Sequence, residues 1–87
     1  MEAGKLVDMA NRIGDFFASM PDRGAALEGI AQHLRRYWDP RMRTRLLAHI
    51  DAQRGEGLDP IVLEALRTHR ALLEPARHDA GAPATQR

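Results

Sequence analysis

The chain has 87 residues, no cysteine, and thirteen Lys and Arg against twelve Asp and Glu, for a formal net charge of +1. That length permits one small domain, whose core supplies only about 3–5 kcal/mol unless disulfides, a metal or a partner adds to it. The missing cysteines remove disulfides and cysteine-held iron–sulfur clusters, and the near-neutral charge argues against a general polyanion binder.

The opening Met1-Glu2-Ala3-Gly4-Lys5 lacks the basic and apolar regions of a signal peptide. No apolar run approaches the roughly 18 residues of a membrane span. A cytoplasmic protein is therefore expected, with no membrane contact.

The pattern predicts four amphipathic helices and no strands. The first runs from about Lys5 to Ser19, with Leu6, Met9, Ala10, Ile13, Phe16, Phe17 and Met20 on one face and Asp8, Arg12, Asp15 and Ser19 opposite. A flanking stripe of Val7, Gly14 and Ala18 offers a close approach to another backbone, either the second helix or a partner chain. After Pro21 and an Asp22 N-cap, the second helix is expected from about Arg23 to Tyr37, with Ala26, Leu27, Ile30, Ala31, Leu34, Tyr37 and Trp38 inward.

Asp39-Pro40 reads as an N-cap followed by proline at the first helical position, where its missing N–H costs nothing. The third helix should reach about Gln53, where Gly55-Glu56-Gly57 breaks the chain. Leu58-Asp59-Pro60 repeats the start signal, with Leu58 and Leu63 spaced for a hydrophobic staple. A fourth helix is expected from about Pro60 to Glu74, burying Ile61, Val62, Ala65, Leu66, Leu72 and Leu73. The fold class is thus all-α, a compact bundle of four short helices over residues 1–74. From Pro75 onward the composition predicts a disordered C-terminal tail, 75–87.

Sites of chemistry are sparse. His33, His49, His69 and His78 are spread over three helices and the tail, with no pair at ligand spacing on one face. His69 projects to the middle of the fourth helix's apolar face, where a core-edge histidine with a satisfied N–H ranks ahead of an interface or proton-transfer role. Ser19, Thr44, Thr68 and Thr85 lack any nucleophile signature, and Gly55-Glu56-Gly57 is too short for a phosphate loop. Asp39 and Asp59 are explained by capping rather than as a catalytic carboxylate pair. No catalytic, cofactor-binding or metal-ligating residue is expected.

The densest signal is His33 to Arg45, which gathers Arg35, Arg36, Arg41, Arg43 and Arg45 with Tyr37 and Trp38 around one helix-to-helix corner. Arg41 and Arg45 point away from the apolar stripe of Met42, Leu46, Leu47 and Ile50. Arg43 projects among Leu46, Leu47 and Ile50, where an unpaired guanidinium is costly. Either its stem snorkels to the helix end, or it pairs with Asp39 or with a partner's carboxylate. A nucleic-acid-binding corner is the competing reading. The inward aromatics, the near-neutral charge and the scarcity of base-reading Asn and Gln on the third helix stand against it.

The string Trp38-Asp39-Pro40-Arg41-Met42-Arg43, preceded by His33-Leu34-Arg35 and followed by Leu46-Leu47-Ala48-His49 and Gly57-Leu58-Asp59-Pro60, resembles the delta subunit of NAD-dependent formate dehydrogenases. Lys5 to Ile13, with Phe16-Phe17 one turn later, is similar to that family's first helix. The resemblance covers residues 5 to 66. It implies a non-catalytic accessory subunit of a cytosolic complex that oxidises formate to carbon dioxide and reduces NAD. The implied partners are a large alpha subunit carrying a molybdenum or tungsten pterin and iron–sulfur clusters, and beta and gamma subunits carrying FMN and further clusters. The delta subunit itself carries no cofactor, and its implied role is assembly, cofactor insertion or stability of the catalytic subunit. Chemistry and position, rather than the resemblance, select Trp38, Arg41, Arg43 and Arg45, with Arg35 beside them, as the expected contact surface; for Trp38 itself a role in the local core ranks slightly ahead of an interface role. The alternative for the whole chain is an independent small helical regulatory or nucleic-acid-binding protein.

Overall fold

A computed structural model describes residues 2–75. Within them the regular structure is helical: α1 Ala3–Phe17, α2 Arg23–Tyr37, α3 Pro40–Gln53, α4 Pro60–Thr68 and the single turn α5 Arg70–Leu73. The all-α bundle of four helices is as the sequence predicts, with a one-turn fifth helix added. The predicted tail falls almost wholly outside the described residues.

The helix starts follow local chemistry. The Asp22 carboxylate accepts hydrogen bonds from the N–H groups of Gly24 (2.9 Å) and Ala25 (3.4 Å). The Asp39 carboxylate accepts from Met42 N–H at 3.0 Å, one residue before Pro40 opens α3. These bonds satisfy N–H groups that have no partner inside their own helix. Asp59 departs from expectation, since its side chain makes no capping bond. Its backbone N–H instead donates to Asn11 Oδ1 at 2.8 Å, while Asn11 Nδ2 donates to the Gly57 carbonyl at 2.9 Å. One amide on α1 therefore clamps both sides of the loop that leads into α4.

That loop turns through left-handed backbone at Arg54 (φ 59°) and Gly55 (φ 72°), which ends α3 where the sequence places the break. His49 Nε2 lies 2.8 Å from the Glu56 carbonyl, a contact that requires the proton on Nε2. Leu58 and Leu63, the expected staple pair, both pack against the core.

The core gathers Leu6 and Ala10 of α1, Leu27, Ile30 and Leu34 of α2, Leu46, Leu47 and Ile50 of α3, Val62, Ala65 and Leu66 of α4, Leu73 and Trp38. Helix α2 packs against α1, α4 and α5, and α1 also meets α3 and α4. The small-residue stripe of α1 is occupied from within the chain. A methyl group on Gly14 would collide with Val62 Cγ2, so α4, rather than the second helix or a partner, takes the close approach there. Ala18, the third member of the stripe, is exposed.

The expected fourth helix does not run unbroken to Glu74. At His69 (φ −113°, ψ 32°) the chain leaves helical geometry and restarts as α5. His69 accordingly lies half-buried at a joint, not at the middle of a continuous apolar face. Contacts with the neighbouring helices hold the joint. Arg70 reaches across to α3 with two bonds to the Asp51 carboxylate, at 2.9 and 2.8 Å, and binds Glu74 at 2.9 Å. Arg35 of α2 donates to the Leu72 carbonyl at 3.0 Å. The turn sets Leu73 into the core and leaves Leu72 only half-buried.

Two measurements probe this arrangement. Asn11→Ala removes both bonds of the clamp and strands the part-buried Asp59 N–H. It should lower stability by about 1–2 kcal/mol, read as a reduced urea midpoint with an unchanged m value. The second concerns acid. The hydrogen bonds from Arg70, and secondarily its charge, hold the Asp51 carboxyl below its ordinary value despite some desolvation. The folded carboxyl thus binds its proton less readily than the unfolded one. Its contribution is complete above the ordinary carboxylate range and is lost as pH falls through the folded pKa. The melting temperature of Asp51→Asn should lie below that of the natural chain at neutral pH and converge with it once Asp51 is protonated. A gap that persists in acid would assign the effect to something other than this ion pair.

Candidate partner-binding surface

The arginine corner divides into residues with different employment. Arg41 and Arg45 are exposed, as expected, and border shallow hollows formed with Pro40, Thr44, Ala48 and Pro75 on one side and Leu6, Asp39 and Met42 on the other. Arg35 is exposed but already engaged with the Leu72 carbonyl, so it serves the α2–α5 contact. Trp38 is 6% exposed and belongs to the core, the role the sequence slightly favours for it. In this conformation its ring is not available to a partner.

Arg43 is half-buried, and its Nε is closed off from solvent without any hydrogen-bond partner. The Asp39 carboxylate, one of its expected partners, is turned to the N–H of Met42 instead. The ion pairs among the described residues are Arg23 with Glu64 and Arg70 with Asp51 and Glu74. None involves Arg35, Arg36, Arg41, Arg43 or Arg45. Among the described residues, the corner therefore presents guanidinium groups with no carboxylate in ion-pair contact.

A second surface was not foreseen from the sequence. Phe16, expected on the inward face of α1, is 73% exposed, and Tyr37, expected inward on α2, is 67% exposed. Met20 is also on the outside. Phe16 meets Phe17 edge-on at 5.1 Å between ring centroids, Phe17 faces His33 at 6.3 Å, and His33 lies 4.7 Å from Tyr37. These distances are in the range of favourable aromatic pairs.

Three of the chain's four Phe, Trp and Tyr residues thus join one histidine in a ridge across α1 and α2. Phe17 is seated at its base because α2 offers no side chain there: a methyl group on Gly29 would lie 2.5 Å from Phe17 Cε1. Beside the ridge, Arg12, Ile13, Phe16, Phe17 and His33 line an apolar hollow. The Arg36 guanidinium carbon lies 5.9 Å from the Tyr37 ring centre, the outer edge of a cation–π contact.

One signal of this surface was legible. At about 100° per residue, the apolar residues of α1 cover nearly half of the helix circumference, too wide a band for one face of a small core. The edge carrying Phe16 is the one left outside.

No group of three His, Cys, Asp or Glu side chains converges on a common point among the described residues. None of the described helices is long and apolar enough to cross a membrane. The comparisons gave no match among curated proteins and none among solved structures. Residues 5–66, the span from the first turns of α1 almost to the end of α4, match the NADH-dependent formate dehydrogenase delta subunit family, FdsD. The chain belongs to that family.

Proposed function

We propose that this chain is a non-catalytic accessory subunit that docks on the large, pterin-bearing alpha subunit of a cytoplasmic formate dehydrogenase and supports its assembly, cofactor insertion or stability. In this reading the molybdenum or tungsten pterin, the iron–sulfur clusters, FMN and the NAD site all belong to the alpha, beta and gamma subunits. Family membership supplies the complex. The observation that carries docking is Arg43.

A guanidinium nitrogen shut away from water without a hydrogen bond is costly. A carboxylate of the alpha subunit placed over the first turns of α3 would pair with the terminal nitrogens of that guanidinium, which unlike Nε are not closed off, with Arg41 and Arg45 exposed on either side to meet further acidic groups. Arginine suits this role because its planar fork can bind a carboxylate through two nitrogens. With a small core and no disulfide, the chain itself also gains stability from such a partner.

Co-expression with the alpha subunit tests the assignment. Removing one partner of a buried interfacial charge pair costs about 2–5 kcal/mol or more, whereas exposed pairs are worth about 0–1 kcal/mol. Arg43→Glu should therefore abolish co-purification while leaving the free chain helical by circular dichroism, and Arg45→Glu should leave co-purification intact. Equal retention of the two variants would place the interface elsewhere. Purified alone, the chain should oxidise no formate and carry no stoichiometric metal, flavin or pterin, as read by elemental analysis and an absorbance spectrum.

A further inference from the structure

We propose that the aromatic ridge of Phe16, Phe17, His33 and Tyr37 is a second docking site, built to receive an apolar side chain flanked by carboxylates on the catalytic subunit; this rests on the accessory role proposed above. The site is separate from Arg43 in its residues and its helices.

Exposure is the first observation. Phe16 at 73% and Tyr37 at 67% leave two large aromatic residues mostly in water on adjoining helices. Single exposed apolar residues are ordinary, but a contiguous aromatic patch beside an apolar hollow is the usual mark of an interaction surface. Tyr is enriched among residues that dominate binding energy because a rigid ring buries much area at little entropic cost. The ridge is also held in place before binding. Phe17 is locked over Gly29, and His33 is braced between Phe17 and Tyr37.

Charge selects the occupant. The hollow beside Phe16 is bordered by Arg12, and Tyr37 by Arg36; neither arginine makes an ion pair among the described residues. A second copy of this chain laid on the ridge about a two-fold axis would bring like guanidinium groups into one interface, which is unfavourable. A segment with an aliphatic or aromatic anchor and neighbouring Asp or Glu satisfies both the hollow and its rim.

The test uses the full chain and the purified catalytic subunit, with binding followed by calorimetry. Three forms are compared: the natural chain, the pair Phe16→Ser with Tyr37→Ser, and the pair Arg12→Glu with Arg36→Glu. All four positions lie on the surface, so both variants should keep the circular dichroism spectrum and melting temperature of the natural chain. The aromatic pair should weaken binding by about thirty-fold or more, the loss typical of hot-spot residues. The charge-reversed pair should weaken it by at least about ten-fold, as expected of reversed interfacial charges. Replacing Arg12 and Arg36 by Lys and activating carboxylates with a carbodiimide should then cross-link the chain to Asp or Glu of the catalytic subunit.

If the natural chain binds and the ridge variants bind equally well, the ridge is not an interface, although docking itself stands. If the natural chain fails to bind the catalytic subunit, both readings fall. A natural dimer that the aromatic pair converts to monomer would make the occupant a second copy of this chain. Oligouridine binding that the same pair abolishes would make it single-stranded RNA. Either result overturns the proposal.

Discussion

Val62 of α4 presses a methyl group into the space that Gly14 leaves open on α1, and the rotation of α1 that this contact sets decides which of its residues face the core. With Val7, Ala10 and Gly14 turned inward, Leu6 remains buried, while Met9, Ile13 and Phe17 lie along the margin. Phe16 is carried out into water. The Asn11 amide lies on the same helix and ties the loop before α4 to it, so the entry of α4 and the orientation of α1 are fixed together. Had the broad apolar band of α1 been centred on the core, Phe16 would be covered and the groove between α1 and α2 filled.

The same constraint explains why the surface is rich in unsatisfied features although the interior is in order. The buried residues among those described are apolar, with none polar or charged. Unmet demands lie at the margin: the Nε of Arg43 and the exposed rings of Phe16 and Tyr37. A chain this small cannot enclose four amphipathic helices completely, because its surface is large relative to its volume. The chain carries those exposed groups as a member of a family of formate dehydrogenase subunits.

Two neighbouring arginines at the corner show how little the residue type says about its task. Arg35 spends a guanidinium nitrogen on the Leu72 carbonyl and so fastens α5 to α2. Arg36, one residue on, is turned by about 100° and lies beside Tyr37 at the edge of the ridge. Arg70 acts as an internal fastener through Asp51 and Glu74. Among the described residues, an arginine becomes a fastener where a neighbouring helix offers an acceptor, which depends on how the helices are packed.

By itself the sequence determined where the helices lie and the limits of α2 and α3. Periodicity, the Asp-Pro starts at Asp39 and Asp59, the Asp22 cap and the break at Gly55 are local signals, acting over a few residues, and α2 and α3 begin and end where those signals place them. The family was legible too, because the order and spacing of short motifs survive in the linear chain. Local periodicity also put Arg43 on the wrong side of its helix for a solvated group, which the structure bears out. Only the tertiary structure decided how each helix is rotated about its own axis. That rotation sent Tyr37 and Phe16 outward, gave the Gly14 stripe to α4, turned Asp39 away from Arg43 and broke the last helix at His69. A helix with a wide apolar band can be buried through any part of it, and the choice rests on contacts between residues tens of positions apart, such as Gly14 with Val62 and Asn11 with Asp59. No local pattern encodes such contacts, because each half is meaningful only once the other half is in place.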